Sequence, residues 1–126
     1  MPSLDLAPDP ETIQASCDTV RRYLEEALFG GDERALRETV ADPELSERAW
    51  LFWAAFGDRS LDDVDVLFAS ADGSQVACHL TASAEQRGPW IGEQPLDDAP
   101  VPVDLDCTAT YVIADNRIAS FHETWR

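Results

Sequence analysis

Along residues 101–126, apolar and polar side chains alternate, the pattern breaks at Asp115-Asn116, and alternation resumes to the end. Period two on both sides of an Asp-Asn pair predicts a β-hairpin. Its second strand puts Ala119, Phe121, Glu123 and Trp125 on one face and Ile118, Ser120, His122 and Thr124 on the other. Closing the turn between Ala114 and Arg117 sets Thr110 opposite Phe121, Thr108 opposite Glu123 and Asp106 opposite Trp125. The other face then gathers Cys107, Ala109, Tyr111 and Ile113 beside Ile118, Ser120 and His122. A slip of one residue would exchange these partners, so the register carries more of the chemistry than the strands do.

Upstream the period is helical. Asp9-Pro10-Glu11 combines a capping side chain, a first-turn proline and an acid at the positive end of the helix dipole, and Ile13, Cys17, Val20, Leu24 and Leu28 follow at spacings of three and four. Gly30-Gly31 stops that helix. Asp32 opens a second, short one with Ala35, Leu36, Thr39 and Val40 inward. Asp42-Pro43 repeats the cap-plus-proline start for a third helix expected to run to Gly57, with Leu45, Ala49, Phe52, Trp53 and Phe56 on one side and Trp50 at its edge. So many large rings on one helix either pack directly on a sheet or wall an apolar ligand cavity, and the pattern fits both.

From Leu61 the period returns to two, with Val64, Val66 and Phe68 against Asp63, Asp65 and Leu67. Ala71-Asp72-Gly73-Ser74 makes a turn, and in the strand that follows Val76, Cys78, Leu80 and Ala82 alternate with Ala77, His79, Thr81 and Ser83. After Gly88-Pro89-Trp90-Ile91, three prolines (Pro95, Pro100 and Pro102) punctuate an acidic loop. Helices followed by a run of antiparallel strands predict an α+β fold in which a strongly curved sheet wraps the helices.

The 126 residues have the size of one domain, 1–126, with residues 1–8 as a flexible lead-in. No signal peptide and no apolar run of membrane-spanning length is present, so a cytoplasmic protein is expected. The net charge of −16 comes from 25 acidic residues against nine arginines and no lysine. Such a surface repels phosphate backbones and anionic lipid, which argues against nucleic-acid and membrane partners. Cys17, Cys78 and Cys107 lie far apart in apolar-periodic segments and read as small core residues. Without CxxC or HxxxH spacing, no metal site is expected.

Several segments, in order, resemble the SnoaL-like polyketide cyclase and ester cyclase branch of the NTF2-like superfamily. They are Phe56-Gly57-Asp58, Ala71 to Val76, Thr81 with Gly88 to Gly92, and Asp115-Asn116-Arg117-Ile118. The resemblance implies a cone-shaped fold and chemistry without a cofactor. It also implies an acid/base residue facing the cavity five positions after the Ile that opens the last strand, which here is Glu123. A carboxylate partly desolvated among Phe121, Trp125 and the helix aromatics suits proton transfer to or from a carbon acid. A structural Glu123 bonded to Thr108, or set on a covered dimer face, is the competing reading.

His79 stands near a polar position of the family's mid-sheet strand and is the second catalytic candidate, as a donor to a substrate oxyanion. The candidate lining comprises Trp53, Phe56, Thr81 and Trp90 with Thr108, Thr110, Tyr111, Phe121 and Trp125. His122 is expected on a packing or subunit face. The family's Pro-Thr-Gly turn is replaced by Pro95-Leu96-Asp97-Asp98, and Arg126 stands where a second acid is common. The strand of His79 and Thr81 lacks the Asp and Arg of the epoxide-hydrolase variant. The implied partner is an apolar, carbonyl-bearing small molecule, with a homodimer through the outer sheet face; the alternative is a non-catalytic binding or dimerisation module.

Overall fold

The computed structural model describes residues 9–90 and 100–126. The expected lead-in 1–8, and the parts of the expected acidic loop and of the family pattern that fall on residues 91–99, lie outside the described residues.

Helix α1 (Pro10–Arg22) starts as its sequence requires, with the Asp9 carboxylate accepting from the backbone N–H of Glu11 and Thr12 and Pro10 in the first turn. It does not continue as a plain α-helix to Leu28. Residues Tyr23–Leu28 form a π-helical turn, and the wider turn brings Tyr23, Leu24, Ala27 and Leu28 all into the core. The adjoining Gly30 lies so close to this turn that an added Cβ would clash with the Glu26 carbonyl oxygen. Gly30→Ala should therefore cost about 1–3 kcal/mol, read as a lowered urea midpoint with an unchanged slope.

Asp32 caps α2 (Glu33–Thr39) through Arg34 and Ala35, and Asp42 caps α3 (Pro43–Ala55) through Glu44. The third helix ends two residues before Gly57. Phe56, expected on the helix, instead begins β1 (Phe56–Ala69).

Three more strands follow: β2 (Gln75–Gln86), β3 (Val101–Ala114) and β4 (Arg117–Trp125). They form an antiparallel meander in the order β1-β2-β3-β4. Register shifts at Gly57/Ser60, Leu61/Asp63 and Val66/Phe68 break the β1–β2 ladder, and such bulges add twist and bend the sheet around the helices. The last of them turns Phe68 away from the core side that Val64 and Val66 occupy. Phe68 is exposed, contrary to the plain alternation expected. The fold is α+β, with three helices on one face of a four-stranded sheet.

The connection Asp115-Asn116 has positive φ at both residues, 52° and 62°, the conformation of a type I′ hairpin turn. Arg117 pairs with Ala114 and Ile118 with Ile113, as expected, and then the register shifts. Ala119 is an extra residue on β4. From there Ser120 faces Val112, Phe121 faces Tyr111, Glu123 faces Ala109 and Trp125 faces Cys107. The expected pairs Thr110–Phe121, Thr108–Glu123 and Asp106–Trp125 are thus each displaced by one. A one-residue bulge exchanges faces, so Phe121, Glu123 and Trp125 join Cys107, Ala109 and Tyr111 on the helix-facing side.

The start of β4 is tied to the helices. Arg117 donates to the carbonyls of Arg37 (2.7 Å) and Val40 (2.8 Å), Val40 bridges Ile118 in parallel, and the Ala41 N–H donates to the Ile118 carbonyl. With its first residues pinned and the bulge fixed beyond them, β4 has its last acid aimed under α3.

Candidate active site

Glu123 lies on the inner face of β4, partly buried between the sheet and the helices. The Tyr111 hydroxyl donates to its Oε2 at 2.7 Å and the Trp125 indole N–H to its Oε1 at 3.3 Å. Tyr111 itself is fully buried and meets the ring of Tyr23 edge-on at 5.8 Å. Burial raises the Glu123 pKa above the usual carboxylate range, against the opposing effects of the Tyr111 and Trp125 hydrogen bonds and the Arg48 charge. Burial, then the charge of Glu123, holds both tyrosines well above their normal range. Glu123 therefore holds its proton more tightly than an exposed glutamate does, with two polar donors ordering its oxygens.

Tyr111→Phe should leave the carboxylate short of its nearest donor. The Glu123 pKa is expected to rise further, since the lost bond favours the ionised form, and stability above that pKa to fall by about 1–3 kcal/mol. Carboxyl carbon shifts followed by NMR across pH would show the first, and denaturant unfolding at pH 8 the second.

Beyond Glu123 the interior is aromatic. Phe52 packs against Phe56 (4.9 Å between centroids), Trp125 (5.4 Å) and Trp90 (5.6 Å), and Trp90 also meets Phe56 (5.6 Å) and Trp125 (6.1 Å). A cavity of about 260 Å³ opens at this cluster, lined by Phe56, Gln86, Trp90, Val103, Leu105 and Trp125 with Asp104 and Arg126 at its rim. Trp125 connects the two parts of the site, with its ring in the cavity wall and its N–H on Glu123. A larger hollow of about 570 Å³ lies between the first helix and β1. It is bordered by Arg21, Glu25, Arg59, Asp62 and Asp63 and touches none of the groups bonded to Glu123. Only the smaller, more apolar of these two cavities includes a residue bonded to Glu123, Trp125.

Of the residues singled out from sequence, the structure gathers Glu123, Tyr111, Phe121, Trp125, Phe56 and Trp90 on the inner side. Trp53 is half-buried at the helix layer, where its indole N–H donates to the carbonyls of Ala27 (3.1 Å) and Leu28 (2.9 Å), partners that hold the π-helical turn. Four residues are not in the site. On β2, Cys78, Leu80 and Ala82 point inward, so His79 and Thr81 face out. Thr108 and Thr110 are exposed on the outer side of β3. The His79 Nε2 lies 3.0 Å from the Asp106 carboxylate, a pairing on the sheet's outer surface. His79 therefore stands on the other face of the sheet from Glu123, and its expected donation to a substrate oxyanion there is withdrawn.

Two neighbours of Glu123 were not anticipated. Tyr23 enters through the π-helical turn, which no plain 3.6-residue reading contains. Arg48 enters from α3, its guanidinium carbon 5.1 Å from the Phe121 ring centroid. Its position was legible, since it falls three after Leu45 and four before Phe52 on the helix's apolar stripe. Cys78 and Cys107, both free, are buried close by, and burial pushes the Cys78 thiol up to about 11 and Cys107 higher still. Both stay protonated and act as small apolar fillers. Among the described residues no group of three or more His, Cys, Asp or Glu side chains is placed to hold a metal ion.

The backbone is similar to several solved structures. It superposes with a TM-score of 0.72 on a protein from Silicibacter sp. TM1040 provisionally termed a polyketide cyclase, at 14% identity over 90% of both chains. The fold is that of the SnoaL-like cyclases. A provisional SnoaL-like polyketide cyclase from Jannaschia sp. CCS1 matches at TM-score 0.64 and 19% identity, over 89% of this chain and 85% of that one. AclR from Streptomyces galilaeus, provisionally termed a hydroxylase, matches at TM-score 0.63 and 13% identity over 90% of both chains. No protein-family model and no curated protein matches the sequence itself. Identities this low establish the SnoaL-like architecture, and the chemistry has to be argued from the site.

Proposed function

We propose that the protein is a cofactor-independent acid/base enzyme in which Glu123 moves a proton on an apolar, carbonyl-bearing small molecule. The reaction class is polyketide-type cyclisation, isomerisation or dehydration, which share proton transfer at a carbon next to a carbonyl. The observation that carries this reading is Glu123 itself, an ionisable group on the inner sheet face with a raised pKa, ordered by a buried tyrosine and a tryptophan. An ionisable acid beside an aromatic cluster costs more to bury than a neutral amide that could accept the same hydrogen bonds from Tyr111 and Trp125. In a turnover, the Tyr111 hydroxyl holds the carboxyl group in one orientation while the aromatic walls exclude water and strengthen each polar contact.

The test is exchange of the α-hydrogens of phenylacetone with D₂O, followed by NMR, with wild-type protein and Glu123→Gln. Exchange above the buffer rate in the wild type and lost in the variant supports the reading; equal rates in a folded variant sink it.

The aromatic cluster favours a second reading. Phe52, Phe56, Trp90 and Trp125 touch one another across the interior, and a cavity of about 260 Å³ is small for a polyketide. A SnoaL-like module that packs its own rings into the cone and dimerises through the outer sheet face would show no exchange and no apolar ligand binding.

A further inference from the structure

The chain has 25 acidic residues and nine arginines, and five of the arginine side chains find acceptors among the described residues. Arg22 and Arg34 both bind Glu38, Arg87 binds Glu85 and Asp58, and Arg59 and Arg117 donate to backbone carbonyls. Arg48 does neither. It is half-buried on the inner stripe of α3, where its guanidinium lies over the face of Phe121 and its charge acts on Glu123, with no hydrogen bond or direct ion pair among the described residues. The residues flanking it on that stripe, Leu45, Ala49 and Phe52, are all fully buried. A half-buried guanidinium without a hydrogen-bond acceptor in the protein has its paired donors left for a bound anion.

The surroundings specify the anion. Arginine stays charged at any accessible pH and presents paired, parallel N–H donors that match the two oxygens of a carboxylate. Phe121 beneath it offers an apolar face, and Glu123 follows Phe121 two residues along the same side of β4, roughly 7 Å away by strand geometry. We infer that Arg48 binds a carboxylate on the substrate, so that this site takes an apolar carbonyl compound carrying a carboxylate within a few bonds of the carbon acid presented to Glu123. The inference rests on the reading of Glu123 as the acid/base group for its second half only. The anion site stands on Arg48 and Phe121.

Binding measured without turnover separates the two. Titrations of phenylacetate and of phenylacetamide, isosteres that differ in charge, are compared by calorimetry at pH 7 for wild type, Arg48→Met, Arg48→Lys and Glu123→Gln. Wild type should prefer phenylacetate by about tenfold or more, the range of a charge-assisted pair. Arg48→Met keeps an apolar stem on Phe121 and should lose the preference. Arg48→Lys retains charge without the fork and should keep part of it, which also shows that position 48 tolerates change. Glu123→Gln removes a negative charge beside the proposed anion site and should retain or strengthen the preference. Equal binding of the two compounds to wild type, or an undiminished preference in Arg48→Met, would overturn the inference. A preference that follows Arg48, together with α-hydrogen exchange unaffected by Glu123→Gln, would keep the anion site and remove the acid/base role.

Discussion

Glu123→Gln is expected to fold normally and to lose about 10²- to 10⁴-fold in rate on any substrate whose proton this residue moves, the usual worth of a positioned acid or base. The amide keeps the shape of the carboxyl group, and the Tyr111 and Trp125 contacts can be rebuilt around it with one oxygen and one NH₂ group. What it loses is the titratable proton. A wild-type pH–rate profile should show a limb set by Glu123, above the range of an ordinary glutamate, and that limb should vanish in the variant.

The same substitution has a stability signature with a definite sign. Burial raises the folded-state pKa of Glu123, so the native protein holds this proton more tightly than the unfolded chain does. The favourable contribution is present in full below the unfolded pKa and is lost as pH rises through the folded one. Wild type minus Glu123→Gln stability should therefore decline from about pH 4 upward, until the carboxylate is fully ionised. Carboxylates whose pKa is lowered, such as Asp72 at about 2, are common to both proteins and cancel in the difference. Thermal melts of the pair across pH would settle it; a difference that grows with pH would mean that Glu123 is stabilised as an anion, and the site would need another account.

Phe52→Ala should produce the largest loss of stability in the interior. Phe52 is fully buried and its ring meets Phe29, Phe56, Trp90 and Trp125. Truncation removes the transfer energy of the ring and leaves a void that four aromatic neighbours can only partly fill, at a cost of about 3–5 kcal/mol. For a domain of this size that is a Tm lowered by roughly 10–20 °C. The measurement also bears on function, because the void would adjoin the cavity bordered by Trp90 and Trp125. Naphthalene or indole should then raise the Tm of the variant more than that of the wild type. A loss below about 1 kcal/mol would show that the cluster is loosely packed, and the reading of a self-filled cone would lose its support.

Much of this architecture was legible in the chain. Asp9-Pro10, Asp32 and Asp42-Pro43 name three helix starts, and each cap forms as its chemistry requires. Alternation identified the strands and kept Phe121, Glu123 and Trp125 on one face of β4. The errors have specific causes. A π-helical turn adds a residue to one turn without changing which residues are apolar, so Tyr23 was not placed. Phe56 satisfies a helix stripe and a strand equally well. His79 was read by its place in a family pattern, while the alternation of Cys78, Leu80 and Ala82 around it already implied the opposite face.

What the sequence by itself determined is therefore the set of elements, their caps and the common face of the residues around Glu123, because periodicity records which side of an element is buried. It carries no record of what lies across a strand pair. Only the tertiary structure decided that Ala119 is the extra residue of a bulge and that Glu123 consequently meets Tyr111 and not Thr108. The reason is that a bulge after Ile118 costs little locally and is selected by distant contacts, with Arg117 and Ile118 held to the end of α2 while Phe121 and Trp125 seek the apolar side.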